Sequence, residues 1–302
     1  MDFSFKNKLI IGGLALFTLS MGVVFLIFQN KEEPEIIAPI EVPPVVKDEV
    51  EWTTHQVIGT SVQGRSIDAY TYGTGDTHLL FVGGIHGGYE WNSVLLAYEM
   101  MDHIVENPSL IPENLSVTIV PSANPDGLYE VVGIEGRFEA VDVPEVAFGT
   151  GRFNANEVDL NRNFDCKWQS ESMWRGNTVS AGTEAFSEPE AQAIRTIVTT
   201  LNPKAVVFWH SQSNAVYASE CENGILPDTR TVMNVYANAA GYPAVDTFDA
   251  YAITGDAEGW LASIGIPAVT VELATHQSIE WAKNIAGVEA LLNHFGSDNL
   301  AR

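Results

Sequence analysis

His86, Glu90, His210 and Glu272 have the side-chain types for metal-assisted hydrolysis. His86 and Glu90 bracket a glycine-rich turn, and an imidazole and a carboxylate that close can face one metal ion. His210 could supply a third ligand from another part of the chain. Two histidines and a carboxylate with an open fourth position make a catalytic zinc arrangement, whereas a structural zinc site more often uses thiolates and is closed. The chain has 2 cysteines, too few for a zinc ribbon or a disulfide scaffold. Glu272 would then take a proton from metal-bound water, whose pKa zinc lowers to about 7. A lone histidine is more often a satisfied polar residue, and His55, His78, His103, His276 and His294 are read that way.

These residues need elements to hold them. The apolar run Leu79-Leu80-Phe81-Val82 ends in Gly83-Gly84 and predicts a buried strand. Further strands are expected at Ser116 to Val120, Ala205 to Trp209 and Val269 to Val271. Helices are expected from Glu90 to about Glu106, from Ser187 through Val198, and from about Ile279 to Phe295. The second has a capping-box start, with Ser187 at the N-cap and Glu190 at N3. Asn124-Pro125-Asp126-Gly127 reads as a turn. Strands alternating with helices predict a single α/β domain: a mixed, mostly parallel central sheet covered on both faces. His86, His210 and Glu272 each fall at or just past the C-terminal end of a strand, where ligands gather in open α/β sheets.

Five segments, in order, resemble the zinc metallocarboxypeptidase family (M14, the carboxypeptidase A-like peptidases), in its bacterial type. They are Gly83-Gly84-Ile85-His86-Gly87 with Glu90-Trp91, the PSANPDG of 121–127, the VDLNRNF of 158–164, the HSQS of 210–213, and Thr270-Val271-Glu272-Leu273. The resemblance covers nearly all of 55–295. It implies that His86, Glu90 and His210 bind one zinc ion and that Glu272 is the general base and acid. Asn161 and Arg162 would bind the substrate's terminal carboxylate, for which a guanidinium fork is suited. Arg152 would stabilise the oxyanion beside the metal, and is preferred over Arg137 for its spacing to Asn161. One departure stands out. The family spacing is His-x-x-Glu, whereas His86-Gly87-Gly88-Tyr89-Glu90 is one residue longer, with Tyr89 where the glutamate should be. Two glycines could let this loop bulge and still deliver Glu90.

In Tyr251 to Trp260, YAITGDAEGW, the Tyr-to-Trp spacing is similar to that of animal digestive members. Tyr251 would close over substrate, Glu258 would fall at the bottom of the specificity pocket, and Asp256 would lie close by. Carboxylates there favour a positive side chain: lysine, arginine or the diaminopimelate of cell-wall peptide. The alternative is that both acids face solvent. Cys166 and Cys221 would both lie near the site and are expected to form a disulfide in an exported domain.

With 15 Lys+Arg against 39 Asp+Glu the net charge is −24, which argues against nucleic acid as a partner. At 46% hydrophobic and 18% charged, the chain can build a sizeable core. Leu9 to Phe28 carries no charge and is long enough for one membrane span. Residues 1–30 are read as a signal anchor with a cytoplasmic N-terminus, 31–50 as a Pro/Glu-rich linker, and 51–302 as the catalytic domain. Only the linker precedes the domain, so control by a propeptide is not expected. The expectation is a monomeric, single-pass membrane protein with an extracytoplasmic zinc carboxypeptidase domain acting on peptides, cell-wall peptides included. Two rivals are a zinc deacylase or amidase of the aspartoacylase and succinylglutamate desuccinylase type, and a non-catalytic binding module at the cell surface.

Overall fold

The computed structural model describes residues 52–297. The expected anchor and linker lie outside them. Among the described residues no helix is long and apolar enough to cross a membrane.

The chain opens with β1 (Thr53–Thr60) and β2 (Ser66–Gly73), an antiparallel pair that the sequence reading did not anticipate. Then come β3 (Thr77–Val82), α1 (Trp91–Glu106), β4 (Leu115–Val120) and α2 (Pro125–Val132). A small hairpin, β5 (Glu171–Trp174) and β6 (Asn177–Ser180), stands apart from the main sheet. The rest comprises α3 (Pro189–Leu201), β7 (Ala205–Ser211), β8 (Ala215–Ala218), α4 (Pro227–Ala240), β9 (Ala244–Val245), α5 (Ala257–Ser263), β10 (Ala268–Leu273) and α6 (Trp281–Ser297). The eight-stranded sheet runs β1-β2-β4-β3-β7-β10-β8-β9. Its centre, β4-β3-β7-β10, is parallel, and antiparallel strands flank it.

Alternation along the central strands divides the core in two. Leu79, Phe81, Val207, Trp209, Val269 and Val271 face the layer of α1, α2, α4 and α6. Leu80, Val82, Val206, Phe208 and Ala268 face α3 and α5. Burial on both faces explains why these strands read as unbroken apolar runs.

Two local expectations change. Asn124 is the N-cap of α2: its side chain accepts from the Gly127 N–H, and Pro125 occupies the first turn. The turn-like residues are therefore a helix start. At α3 the N-cap is Glu188, not Ser187. The Ser187 hydroxyl instead donates to Glu188 Oε1 at 2.8 Å and accepts from Asn163 Nδ2 at 3.0 Å. That bond ties the helix start to the NRNF segment, and this tertiary demand outweighs the local capping pattern.

Candidate active site

Strand register places the first pair. β7 and β10 run parallel with Glu272 opposite His210, so both side chains leave the sheet together at its C-terminal edge. His86 lies just beyond the end of β3, the neighbour of β7 on its other side. Glu90 closes a 3₁₀ turn, Gly87–Glu90, from which α1 continues at Trp91. This turn accommodates the extra residue. Gly87 has φ +46°, and a Cβ there would lie 2.5 Å from Gly151 O. A Cβ on Gly88 would lie 2.5 Å from Val131 Cβ. Only a chain without side chains at both positions packs this closely and brings Glu90 back to His86.

His86 Nδ1 is 2.8 Å from Glu90 Oε1, and His210 Nδ1 is 3.0 Å from Glu90 Oε2. The two Nδ1 atoms face each other at 3.2 Å. One ligand atom from each residue falls within a 4.8 Å cluster, and all three side chains are buried. This donor set fits one zinc ion. The surroundings support it. Glu272 Oε2 is buried without a hydrogen-bond partner. Burial alone would raise the Glu90 carboxyl, but His86 and His210 hold it below the usual range. Burial opposes charge on His210, yet Glu90 and Glu258 draw its pKa well up. The site therefore favours a positive charge.

Each histidine is backed by a carboxylate. His86 Nε2 is 3.3 Å from Asp159 Oδ1, and His210 Nε2 is 3.3 Å from Glu258 Oε1. Such partners fix a ligand's orientation and raise its basicity. Asp159 also takes two bonds from Arg152, Nε at 3.0 Å and Nη2 at 2.8 Å on Oδ2. Burial would raise the Asp159 carboxyl, but Arg152, Arg162 and His86 hold it well below the usual range.

A cavity of about 430 Å³ opens over the cluster. It brings together His86, Glu90, His210, Glu272, Arg152, Asn161, Arg162, Tyr251, Asp256 and Glu258, every residue expected to bind metal or substrate or to catalyse. Arg137 lies elsewhere, exposed and paired with Asp102. Asn161 Oδ1 accepts from the Ala257 N–H at 2.8 Å, which fixes the start of α5 beside the NRN segment. Arg162 Nε is buried and unpartnered. Glu258 also accepts from Thr270 Oγ1 at 2.9 Å. Asp256 caps α5 through the Gly259 N–H, and burial followed by the Glu258 charge pushes its carboxyl up to about 6. Glu258 is buried, and Asp256, half-buried, lines the cavity. Burial, then the Glu90 charge, pushes the Glu272 carboxyl up to about 8.

Cys166 and Cys221 form a disulfide, with Cα atoms 6.1 Å apart. Of the histidines read as ordinary, His276 packs against two residues that line the site, Ser211 and Tyr89. Its Nδ1 is 2.7 Å from Ser211 Oγ, and its ring packs 4.5 Å from that of Tyr89. The sequence reading also gave no role to Asp159 or Arg175. Asp159 was visible only as a letter of its motif. Arg175 had a weak signal: Arg175-Gly176 links two short alternating segments, a hairpin pattern.

Comparison with known proteins agrees with this geometry. The family model described as zinc carboxypeptidase matches residues 45–293. Gamma-D-glutamyl-L-diamino acid endopeptidase 1 of Lysinibacillus sphaericus is 26% identical over 241 residues, 72% of this chain and 60% of that protein. The chain thus spans less than two thirds of that relative's length, and 32% of mouse carboxypeptidase M. Among solved structures, carboxypeptidase A from Helicoverpa armigera superposes with TM-score 0.63 at 22% identity, over 82% of this chain and 68% of that one. The murein-tripeptide amidase MpaA from Escherichia coli O157 superposes with TM-score 0.56 at 24% identity, over 79% and 91%. Matched across most of its length and carrying the two-histidine, one-glutamate cluster at its sheet edge, this chain belongs to the zinc carboxypeptidase family.

Proposed function

We propose that this protein is a zinc-dependent carboxypeptidase. It would remove a C-terminal residue bearing a cationic side chain, with the diaminopimelate of cell-wall peptides as the leading candidate. The observation that carries this reading is one cavity holding the metal cluster, an unpartnered Arg162 N–H, and the acids Asp256 and Glu258. Arg162 and Asn161 would hold the terminal carboxylate. Asp256 and Glu258 would face the side-chain ammonium, as charge complementarity requires. The names of two similar proteins, a gamma-D-glutamyl-L-diamino acid endopeptidase and a murein-tripeptide amidase, point to the same substrate class.

Zinc bound by His86, Glu90 and His210 would supply a Lewis acid for the scissile carbonyl. Glu272 would accept a proton from the attacking water and return it to the leaving amine. Arg152, fixed by Asp159, would stabilise the oxyanion as the C–O bond forms and the C–N bond breaks. We place the domain outside the cytoplasm; the Cys166–Cys221 disulfide supports that setting, as does the apolar stretch from Leu9 to Phe28.

The test is mass spectrometry of defined peptides and stem peptides after incubation with the zinc-loaded full chain, with Glu272→Gln as control. Loss of single C-terminal cationic residues by the wild type alone supports the reading. No cleavage by a protein that retains zinc refutes it and favours a deacylase.

A further inference from the structure

The cavity holds a third arginine that the proposed chemistry leaves unused. Arg152 is committed to Asp159, and Arg162 lies beside Asn161. Arg175, at the tip of the β5–β6 hairpin, also lines the cavity. It is exposed, and among the described residues it makes no hydrogen bond or ion pair. In a chain with 39 acidic and 15 basic residues, an uncompensated guanidinium at the mouth of the site is conspicuous. Electrostatically it would attract a substrate anion there.

A second observation points the same way. The Tyr89 hydroxyl is buried and has no hydrogen-bond partner, although the residue is only 9% exposed. A buried phenol normally finds one. Tyr89 lines the same cavity, immediately before the ligand Glu90, and its ring meets that of Trp174 edge-on at 5.3 Å. Trp174 is the chain neighbour of Arg175 and lies under the Arg152 guanidinium at 4.4 Å. The Arg175 guanidinium lies 5.5 Å from the Phe148 ring, which stacks on Trp174. Tyr89 also lines a second cavity, together with Phe148 and His276.

A substrate with its terminal residue against Asn161 and its scissile carbonyl at Arg152 would run its preceding residue past Tyr89 and Arg175. We propose that Arg175, with the Tyr89 hydroxyl, receives a carboxylate on the residue immediately upstream of the scissile bond. This rests on the carboxypeptidase reading above and deepens it. Two substrates offer that group: the α-carboxylate of a γ-linked glutamyl residue and the side chain of an α-linked one. Either way the substrate presents an upstream anion, a terminal carboxylate and a cationic side chain. These face Arg175, Arg162 and the Asp256–Glu258 pair respectively.

The test compares kcat/KM on matched peptides that end in the same diamino acid. One pair carries γ-D-glutamate or γ-D-isoglutamine upstream, and the other α-L-glutamate or α-L-glutamine. The ratio within each pair, measured on one preparation, is independent of the fraction of protein correctly folded. The expected result is a preference for the charged member of about tenfold to a hundredfold in at least one pair, and the pair that shows it identifies the source of the carboxylate. Arg175→Gln should bring that ratio to within about twofold of unity, while Arg175→Lys should keep part of it. A wild-type ratio near one in both pairs, or a ratio unchanged in Arg175→Gln, overturns the assignment. Neither result touches the carboxypeptidase reading, which fails only if no member of either pair is cleaved.

Discussion

Asp159→Asn changes one atom and removes one charge at the best-buried point of the site. Asp159 is 0% exposed, accepts two bonds from Arg152 and one from the Asn161 N–H, and lies 3.3 Å from His86 Nε2. Loss of the charge leaves the Arg152 guanidinium buried without its counterion. Breaking a buried pair from one side costs about 3–5 kcal/mol. Loss of the carboxylate behind a metal-binding histidine weakens metal affinity about 10- to 100-fold. Misplacing Arg152 would remove the proposed oxyanion donor, a loss of about 10²- to 10³-fold in kcat. Zinc affinity by chelator competition, stability by denaturant unfolding and kcat on one peptide should therefore all fall.

The acid limb should change too. The native Asp159 carboxyl titrates well below its ordinary value. Its contribution to stability is therefore whole above the unfolded-state pKa, about 4, and decays as pH falls below that. Asp159→Asn should flatten this limb. Replacing both partners, Arg152→Met with Asp159→Leu, should restore part of the lost stability without restoring activity, because no charge is then left unpaired. A single variant that keeps wild-type stability and binds zinc within about twofold of wild type would refute the electrostatic account.

Other expectations follow from the same geometry. Glu272→Gln should retain zinc while losing at least about 10³-fold in kcat, read by metal analysis and peptide hydrolysis together. Cys166→Ser with Cys221→Ser opens a loop with sequence separation 55. Chain entropy puts the cost at about 4 kcal/mol, or a fall in Tm of about 8–16 °C for a domain of this size; thermal unfolding measures it. With Asp256 held up to about 6, its carboxylate is lost as pH falls through that value. The KM for cationic over neutral terminal residues should therefore rise below about pH 6, and Asp256→Asn should abolish the dependence.

That His86, His210 and Glu272 come together was legible because each follows the end of a buried parallel strand. Leu79 to Val82, Ala205 to Trp209 and Val269 to Val271 announce themselves as apolar runs, and His86, His210 and Glu272 follow within a few residues. The β1–β2 pair was not legible. Its first strand is mostly exposed, so no apolar stripe marks it. Glu258 could be placed near the pocket by spacing, but its contact with His210 depends on how α5 packs against β10. His276 looked ordinary because its partners, Ser211 and Tyr89, are remote in sequence. Arg175 escaped notice for a related reason: nothing local says which way a hairpin tip will lean.

The register that sets Glu272 against His210 has a consequence for how such a protein can change. Strand periodicity allows no single-residue insertion or deletion there, since a slip of one would turn Glu272 to the opposite face of the sheet. The residues assigned to substrate choice stand on different ground. Arg175 tops a hairpin outside the main sheet, and Tyr251 and Asp256 belong to the irregular stretch before α5. His210 and Glu272 are thus fixed by a backbone lattice, while Arg175, Tyr251 and Asp256 hang on segments that can be lengthened, shortened or exchanged; Glu258, on α5, is held with the lattice. Drift in this lineage, or a deliberate retargeting, would proceed through 171–180 and 246–256, leaving the chemistry behind them undisturbed.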